Sequence, residues 1–179
     1  MRDNDIENNN AGIVVESGLH NKIRSNSLAK NATLGIDLGD DGVTKNNDDS
    51  AFGALLLPNR DLDSPELSYA AGTNLNGEID GTLKSTKSTY TIDVYASASC
   101  DNNGYGESAL WLGSTKVSID PILQIATAPF RLIFFLEQST VPANAQITAT
   151  ATDADGNTSE FSACTPYLPD EIFKDGFNG

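Results

Sequence analysis

The sequence predicts an all-β protein in which a few coils of a parallel β-solenoid precede an antiparallel, Ig-like β-sandwich. Apolar and polar residues alternate over short stretches, and no stretch shows sustained helical periodicity. Short apolar segments near the N-terminus recur at a spacing of about 20 residues, as in solenoids. Beyond residue 65, candidate strands follow at short intervals with turn residues between them, which is typical of a sandwich.

The N-terminal repeat is imperfect. Residues 4–8 recur as residues 21–26, and residues 12–15 recur as residues 35–38. Asparagine suits the bends of such coils, because stacked side-chain amides hydrogen-bond along the ladder and Asn tolerates left-handed backbone angles. The alternative is two ordinary hairpins with coincidental Asn, and parallel or antiparallel pairing of residues 12–15 with 35–38 decides between them.

The second half of the chain predicts about seven strands in about 100 residues, the size of an Ig-like sandwich. Tyr90, Ile92 and Val94 alternate with polar residues, and residues 130–136 are apolar on both faces, which favours a central strand. We therefore assign residues 1–65 to coils and a connecting loop, residues 66–168 to the sandwich and residues 169–179 to a tail.

Residues 146–164 predict a β-hairpin. Ile147, Ala149 and Ala151 alternate with threonines, Asp155-Gly156 suits a tight turn, and Phe161 restarts an inward-facing pattern. The hairpin ends at Cys164, and the only other cysteine is Cys100. We predict a Cys100–Cys164 disulfide, which points to an oxidising compartment.

The charge balance restricts the partners. A formal charge of −14 opposes binding to nucleic acids and anionic membranes, and no apolar run reaches the roughly 20 residues of a spanning helix. The N-terminus has no signal peptide although the composition looks exported. We expect an extracellular or outer cell-surface location, with further coils preceding residue 1 in a longer protein.

Several segments together resemble a known family. Residues 34–44, 81–83, 90–92, 100–101, 104–107, 112–114 and 147–164 are similar, in that order, to the C-terminal part of secreted bacterial β-helix proteins of the CSLREA-domain type. The resemblance implies the last coils of a right-handed parallel β-helix followed by an Ig-like β-sandwich. Residues 171–177 also resemble a short tail of exported proteins in Gram-negative bacteria. The chain departs from the family at residues 121–125 and has only two or three coils.

The sequence predicts no catalytic residues. His20 is the only histidine, lies in a predicted turn and has no nucleophile motif beside it. Asp37 could join a carboxylate face like those of β-helix enzymes, but two or three coils are too few to build a groove. The acids elsewhere lie mostly in turns.

Two kinds of binding site are predicted. Asp40, Asp41, Asp48 and Asp49 form an acidic cluster that could hold Ca²⁺, with a solvated loop as the alternative, and no other cofactor is expected. The Asp-Gly turn at residues 153–157 lacks the spacing of an EF-hand.

Surface aromatics are the other candidates, as a platform for sugar rings. They are Tyr95, Tyr105 and Trp111, although Trp111 could instead fill the core. The favoured function is a noncatalytic extracellular or cell-surface β-scaffold for adhesion or for binding glycan or a surface protein. The alternative is the C-terminal fragment of a polysaccharide-active β-helix enzyme, a lyase or glycoside hydrolase.

Overall fold

A computed structural model describes residues 1–46, 56–86, 88–120 and 125–169, and these ranges are all-β apart from one 3-10 helix, Pro58–Asp61. The strands are β1 (Asp5–Glu7), β2 (Ile13–Val15), β3 (Ser27–Ala29), β4 (Ile36–Leu38), β5 (Glu66–Gly72), β6 (Asn76–Thr86), β7 (Ser88–Ser97), β8 (Leu110–Ile119), β9 (Ile125–Phe135), β10 (Gln146–Thr152), β11 (Thr165–Pro166) and β12 (Leu168–Pro169). No helix in the described ranges is long and apolar enough to cross a membrane.

The four N-terminal strands form two parallel pairs, and we call the described residues 1–46 that contain them the coils. β1 pairs with β3, and β2 pairs with β4 in the register Ile13 to Ile36. The parallel pairing predicted for residues 12–15 and 35–38 is therefore present. Gly12 is required here, because a Cβ at this position would lie 2.3 Å from the carbonyl O of Gly35.

Asparagine side chains connect the two layers of this ladder. Asn26 Oδ1 accepts hydrogen bonds from the backbone N–H and the Nδ2 of Asn4, at 3.1 and 2.8 Å. Asn31 Oδ1 accepts the equivalent pair from Asn9, at 3.2 and 3.4 Å. Asn26 and Asn31 are both buried. Strands of three residues offer few apolar side chains, so these buried side-chain hydrogen bonds hold the two layers together.

The rest of the described chain forms two four-stranded sheets. Their orders are β12-β5-β6-β9 and β11-β10-β7-β8, and the long strands pair antiparallel. In sequence order, β5, β6 and β9 take the places of strands A, B and E of an Ig-like sandwich, while β7, β8 and β10 take those of C, C′ and F. The last strand is split, since β11 joins one sheet and β12 the other.

The sandwich core is apolar. Alternate residues of both sheets point into it, and many are fully buried, among them Ile79, Leu83, Ile92, Ile147 and Ala149. This inward alternation is the one that the sequence predicts for β7 and β10.

The coils cover the outer face of the β10-β7-β8 sheet. A second apolar cluster joins Ile23, Leu28 and Ile36 of the coils to Tyr95 and Phe161 of the sandwich. The two rings meet edge to face, with centroids 5.5 Å apart. Phe161 is buried, as the alternation predicts, but in this second cluster and not in the sandwich core.

An ion pair fixes the same contact. Arg24 Nε and Nη2 donate to the two carboxylate oxygens of Asp93, at 2.5 and 2.8 Å. Asp93 is fully buried, and Ser114 Oγ also donates to it. The hydrogen bond to Asp93 raises the pKa of Arg24 above its ordinary value. The pair therefore ties a coil turn to β7.

The predicted disulfide is present between Cys100 and Cys164, with Cα atoms 6.2 Å apart. It holds the loop of residues 98–109, which in turn contacts the coils: Leu28 and Ser108 exchange backbone hydrogen bonds, and Asn31 Nδ2 donates to Glu107 at 2.7 Å. The division of the chain at residue 65 stays a prediction.

Candidate binding surface

The outer face of the β5-β6-β9 sheet carries large exposed apolar side chains. Tyr69, Ile133 and Phe135 are 45%, 72% and 69% exposed. Tyr69 lies on β5, and Ile133 and Phe135 lie on β9. The coils pack against the other sheet, so the outward side chains of β5 and β9 contact solvent. We call this surface, with the charged residues described next, the aromatic face.

Charged residues lie between the apolar ones. Arg131 Nε and Nη2 donate to Asp80 at 2.7 and 2.8 Å, and Nη1 lies 3.0 Å from Glu78. The hydrogen bonds to Asp80 raise the pKa of Arg131. The guanidinium thus pairs with two carboxylates, and the three side chains together carry one net negative charge.

The register gives the length of the face. Tyr69 is opposite Asp80, which is opposite Arg131, whereas Phe135 lies four residues further along β9. Standard strand spacings place Tyr69 and Phe135 about 16 Å apart, with Ile133 between them. An extended ligand fits this span better than a compact one.

An open depression lies on this face. Its volume is about 740 Å³, and its lining includes Tyr69, Gly77 and Phe135. On the inner side of the sheet Gly77 allows a close approach, since a Cβ there would lie 2.2 Å from the hydroxyl O of Tyr167.

The sequence prediction missed this surface, because it placed residues 130–136 in a central strand. β9 is instead an edge strand of its sheet, and every second residue faces solvent. Arg131 was the available signal, since it shares a strand face with Ile133 and Phe135 and a charged residue marks that face as exposed.

The three predicted aromatic contacts do not form one platform. Tyr95 is 2% exposed, so its expected role as an exposed contact is corrected: the coils bury it, and its hydroxyl accepts a hydrogen bond from Ser25 N–H at 3.1 Å. Burial raises its pKa, with the charge of Asp93 adding to the effect. Tyr105 is half-buried beside the disulfide, where its backbone pairs with Ala163.

Trp111 faces outward. Its side chain is 45% exposed on β8, while the neighbouring Leu112 is buried in the core. The indole Nε1 donates to Asp93 at 3.4 Å. Trp111 therefore remains a surface aromatic, but on the opposite sheet from the aromatic face.

The acidic residues divide between described and undescribed parts of the chain. Asp40 and Asp41 are exposed, and Asp48 and Asp49 lie outside the described residues. Within the described ranges, no three Asp, Glu, His or Cys side chains are close enough to share a metal ion. Ca²⁺ binding by the four-residue cluster stays a prediction.

The remaining chemistry-bearing residues have structural contacts. His20 has a positive φ of 64°, and its Nδ1 lies 3.0 Å from the carbonyl O of Asp155. Asp153 accepts hydrogen bonds from the N–H and Nδ2 of Asn157, at 2.8 and 2.7 Å, which closes the turn after β10.

Comparison with known proteins adds little. No protein-family model matches the sequence, and no curated protein matches it. Among solved structures, the chain is similar to the CARDB domain of a Pyrococcus furiosus protein in complex with di-metal ions. The identity is 13%, the match covers 60% of this chain and 96% of that chain, and the TM-score is 0.29. Such a score does not establish a shared fold, so the Ig-like assignment rests on strand order.

Proposed function

We propose that this chain is a noncatalytic, extracellular binding module that holds a neutral polysaccharide on the aromatic face. The observation that carries the proposal is the exposure of Tyr69, Ile133 and Phe135 beside the fixed Arg131–Asp80 pair. Isolated surface apolar residues are ordinary, but three large ones on a single sheet face, with charged side chains between them, favour an interaction site.

A sugar chain fits this mixture of groups. Its C–H faces pack on aromatic rings, and its hydroxyls hydrogen-bond to carboxylates and guanidinium groups. The protein's net charge of −14 and the local excess of Glu78 and Asp80 over Arg131 oppose anionic polymers. A neutral glycan is therefore favoured over an acidic one and over a nucleic acid.

The disulfide supports an extracellular or outer cell-surface location, since such bonds persist in oxidising compartments.

We propose further that the coils are the last coils of a right-handed parallel β-helix in a longer protein. The Asn ladder supports this, because a preceding coil with Asn about 22 residues upstream could donate to Asn4 and Asn9 as these donate to Asn26 and Asn31. Upstream gene sequence without such Asn residues would contradict it.

Affinity electrophoresis tests the glycan proposal. The protein is run through gels containing xyloglucan, galactomannan, mixed-linkage β-glucan or the acidic polygalacturonate. We expect retardation by at least one neutral polymer, weakened about two- to tenfold by Tyr69→Ala or Phe135→Ala, since one aromatic contact is worth about 0.5–1.5 kcal/mol.

Trp111→Ala is the matched control, because this side chain has the same exposed fraction as Tyr69 on the opposite sheet. Retained binding is expected. Loss of binding in Trp111→Ala alone would move the site to β8, and no retardation by any neutral polymer would reject the proposal. Cleavage of a bound polymer would instead favour the alternative, a fragment of a polysaccharide-active enzyme.

A further inference from the structure

A cleft of about 830 Å³ separates the turns of the coils from the disulfide-linked loop of residues 98–109. The coil side contributes Asn31, Asp37 and Asp40, and the loop side contributes Asp101 and Asn102. We call it the acidic cleft. It lies on a different part of the molecule from the aromatic face, and it is independent of the glycan proposal.

Two carboxylate oxygens in this cleft have no hydrogen-bond partner among the described residues. Asp37 is 6% exposed, and its Oδ1 is buried without a partner. Asp101 Oδ2 is buried without a partner as well. A buried carboxylate oxygen without a partner is costly, so each one indicates a ligand or a proton that completes it.

The surrounding charges are all of one sign. The described residues that line the cleft include no Lys, Arg or His. The charged side chains among these lining residues are Asp37, Asp40 and Asp101. The cleft therefore gathers carboxyl groups with no protein cation among its described lining residues.

The available ligands select the class of cation. Carboxylate and amide oxygens suit hard ions, whereas both cysteines are in the disulfide and the single histidine lies elsewhere. Since three carboxylates do not converge, an ion here takes two, with amide oxygens and water completing its shell. Ca²⁺ accepts such irregular sets, while Mg²⁺ demands near-octahedral geometry.

We propose that the acidic cleft binds Ca²⁺ through Asp37 and Asp40, facing Asp101, and that the ion holds the coils against the disulfide-linked loop. This site shares Asp40 with the cluster predicted from sequence, and its other acids are the neighbouring Asp37 and the distant Asp101. The buried Asp37 supplies the fixed ligand that an exposed loop lacks.

Isothermal titration of the full chain with CaCl₂, after treatment with chelator, tests this site. We expect saturable binding and a higher melting temperature in Ca²⁺, with MgCl₂ binding at least tenfold more weakly. Asp37→Asn should weaken Ca²⁺ binding at least tenfold, and Asp101→Asn should weaken it less, through loss of the local field.

Asp5→Asn is the control, because it removes the same unit of charge from an exposed residue of β1 outside the cleft. It should leave the affinity unchanged. Equal weakening by Asp5→Asn and Asp37→Asn would mean nonspecific screening and would overturn the proposal, as would the absence of saturable heat. If Asp37→Asn does not fold, Asp40→Asn serves instead and should also lose at least tenfold in affinity.

Discussion

The sandwich and the coils bury their residues by different means. The sandwich has two long-stranded sheets whose inward side chains make an apolar core, with Leu83 and Ile147 fully buried. The coils have three-residue strands, buried asparagines and an apolar cluster that is completed by Tyr95 and Phe161. One region supplies its own interior, and the other obtains part of its interior from its neighbour.

This difference explains the asymmetry of the two sheets. The outward residues of β10 and β7 are polar in the sequence, which would suit a solvent-facing surface. Thr148 and Thr150 are nevertheless buried, because the coils and the loop of residues 98–109 cover them. The outer face of β9 has no such cover within the described ranges. Apolar side chains are therefore exposed on one sheet while threonines are buried on the other.

Removing the disulfide should have the largest effect on this arrangement. The double variant Cys100→Ser, Cys164→Ser opens a loop with a sequence separation of 64 residues. The chain-entropy model gives a loss of about 4 kcal/mol in the free energy of unfolding. Urea denaturation of the variant and of the oxidised protein measures it, and a loss below about 1 kcal/mol would show that packing alone holds the loop.

Removing the arginine of each Arg–Asp pair compares two losses in the free energy of unfolding. One pair is buried between the regions, and the other is exposed inside the sandwich. Arg24→Ala leaves the fully buried Asp93 without its cation, and we expect a loss of about 3 kcal/mol. Arg131→Ala removes a similar pair at an exposed site, where the loss should be much smaller because solvent screens the charges. Equal losses in urea denaturation would contradict the idea that the ion pair secures the coils.

The sequence predicted what depends on local pattern. Alternation at Tyr90–Val94 and Ile147–Ala151 identified core strands, the Asn repeat predicted parallel pairing, and the two cysteines predicted their bond. The strands follow from alternation over a few residues, the parallel pairing from the repeat, and the disulfide from the presence of only two cysteines.

The sequence prediction failed where residues distant in the chain cover one face of a sheet. Alternation sets Tyr95 on the face opposite Tyr90, Ile92 and Val94, and it leaves the direction of Trp111 open. Whether such an outward side chain meets solvent depends on distant residues, such as Ser25, which lies 70 residues before Tyr95 and binds its hydroxyl. For the same reason residues 130–136 looked central, although only one face of β9 is covered.

Removing a buried side-chain amide from the coils should lower the free energy of unfolding less than removing the buried ion pair. Asn31→Ala removes the acceptor of two bonds from Asn9 and the donor to Glu107, at a cost of about 2 kcal/mol. Asn9→Ala, at the exposed end of the same interaction, should cost about 0.5 kcal/mol or less. Comparable losses in urea denaturation would show that the ladder's buried and exposed amides are equivalent.

The smallest expected change is a gain in stability. It is expected on substituting Asp101, which lies at the boundary of the two regions. The folded protein holds the pKa of Asp101 at about 6, above its ordinary value, because of burial and the charge of Glu107. A carboxyl whose pKa is raised by folding stabilises the fold below its ordinary pKa, and that contribution is lost as the pH rises through the folded value.

In the absence of Ca²⁺, Asp101→Asn should therefore be more stable than the wild type above about pH 6, by less than Asn31→Ala loses. Near pH 4 the carboxyl is protonated in the folded protein, so the advantage should shrink. Asp5→Asn, with the same charge change on exposed β1, should show no such window. Melting temperatures of the three proteins from pH 4 to pH 8 with chelator measure this, and a pH-independent difference for Asp101→Asn would mean that its ionisation is not the cause. Added Ca²⁺ should then reverse the order above pH 6, because the ion stabilises the wild type more than the variant by binding the folded state.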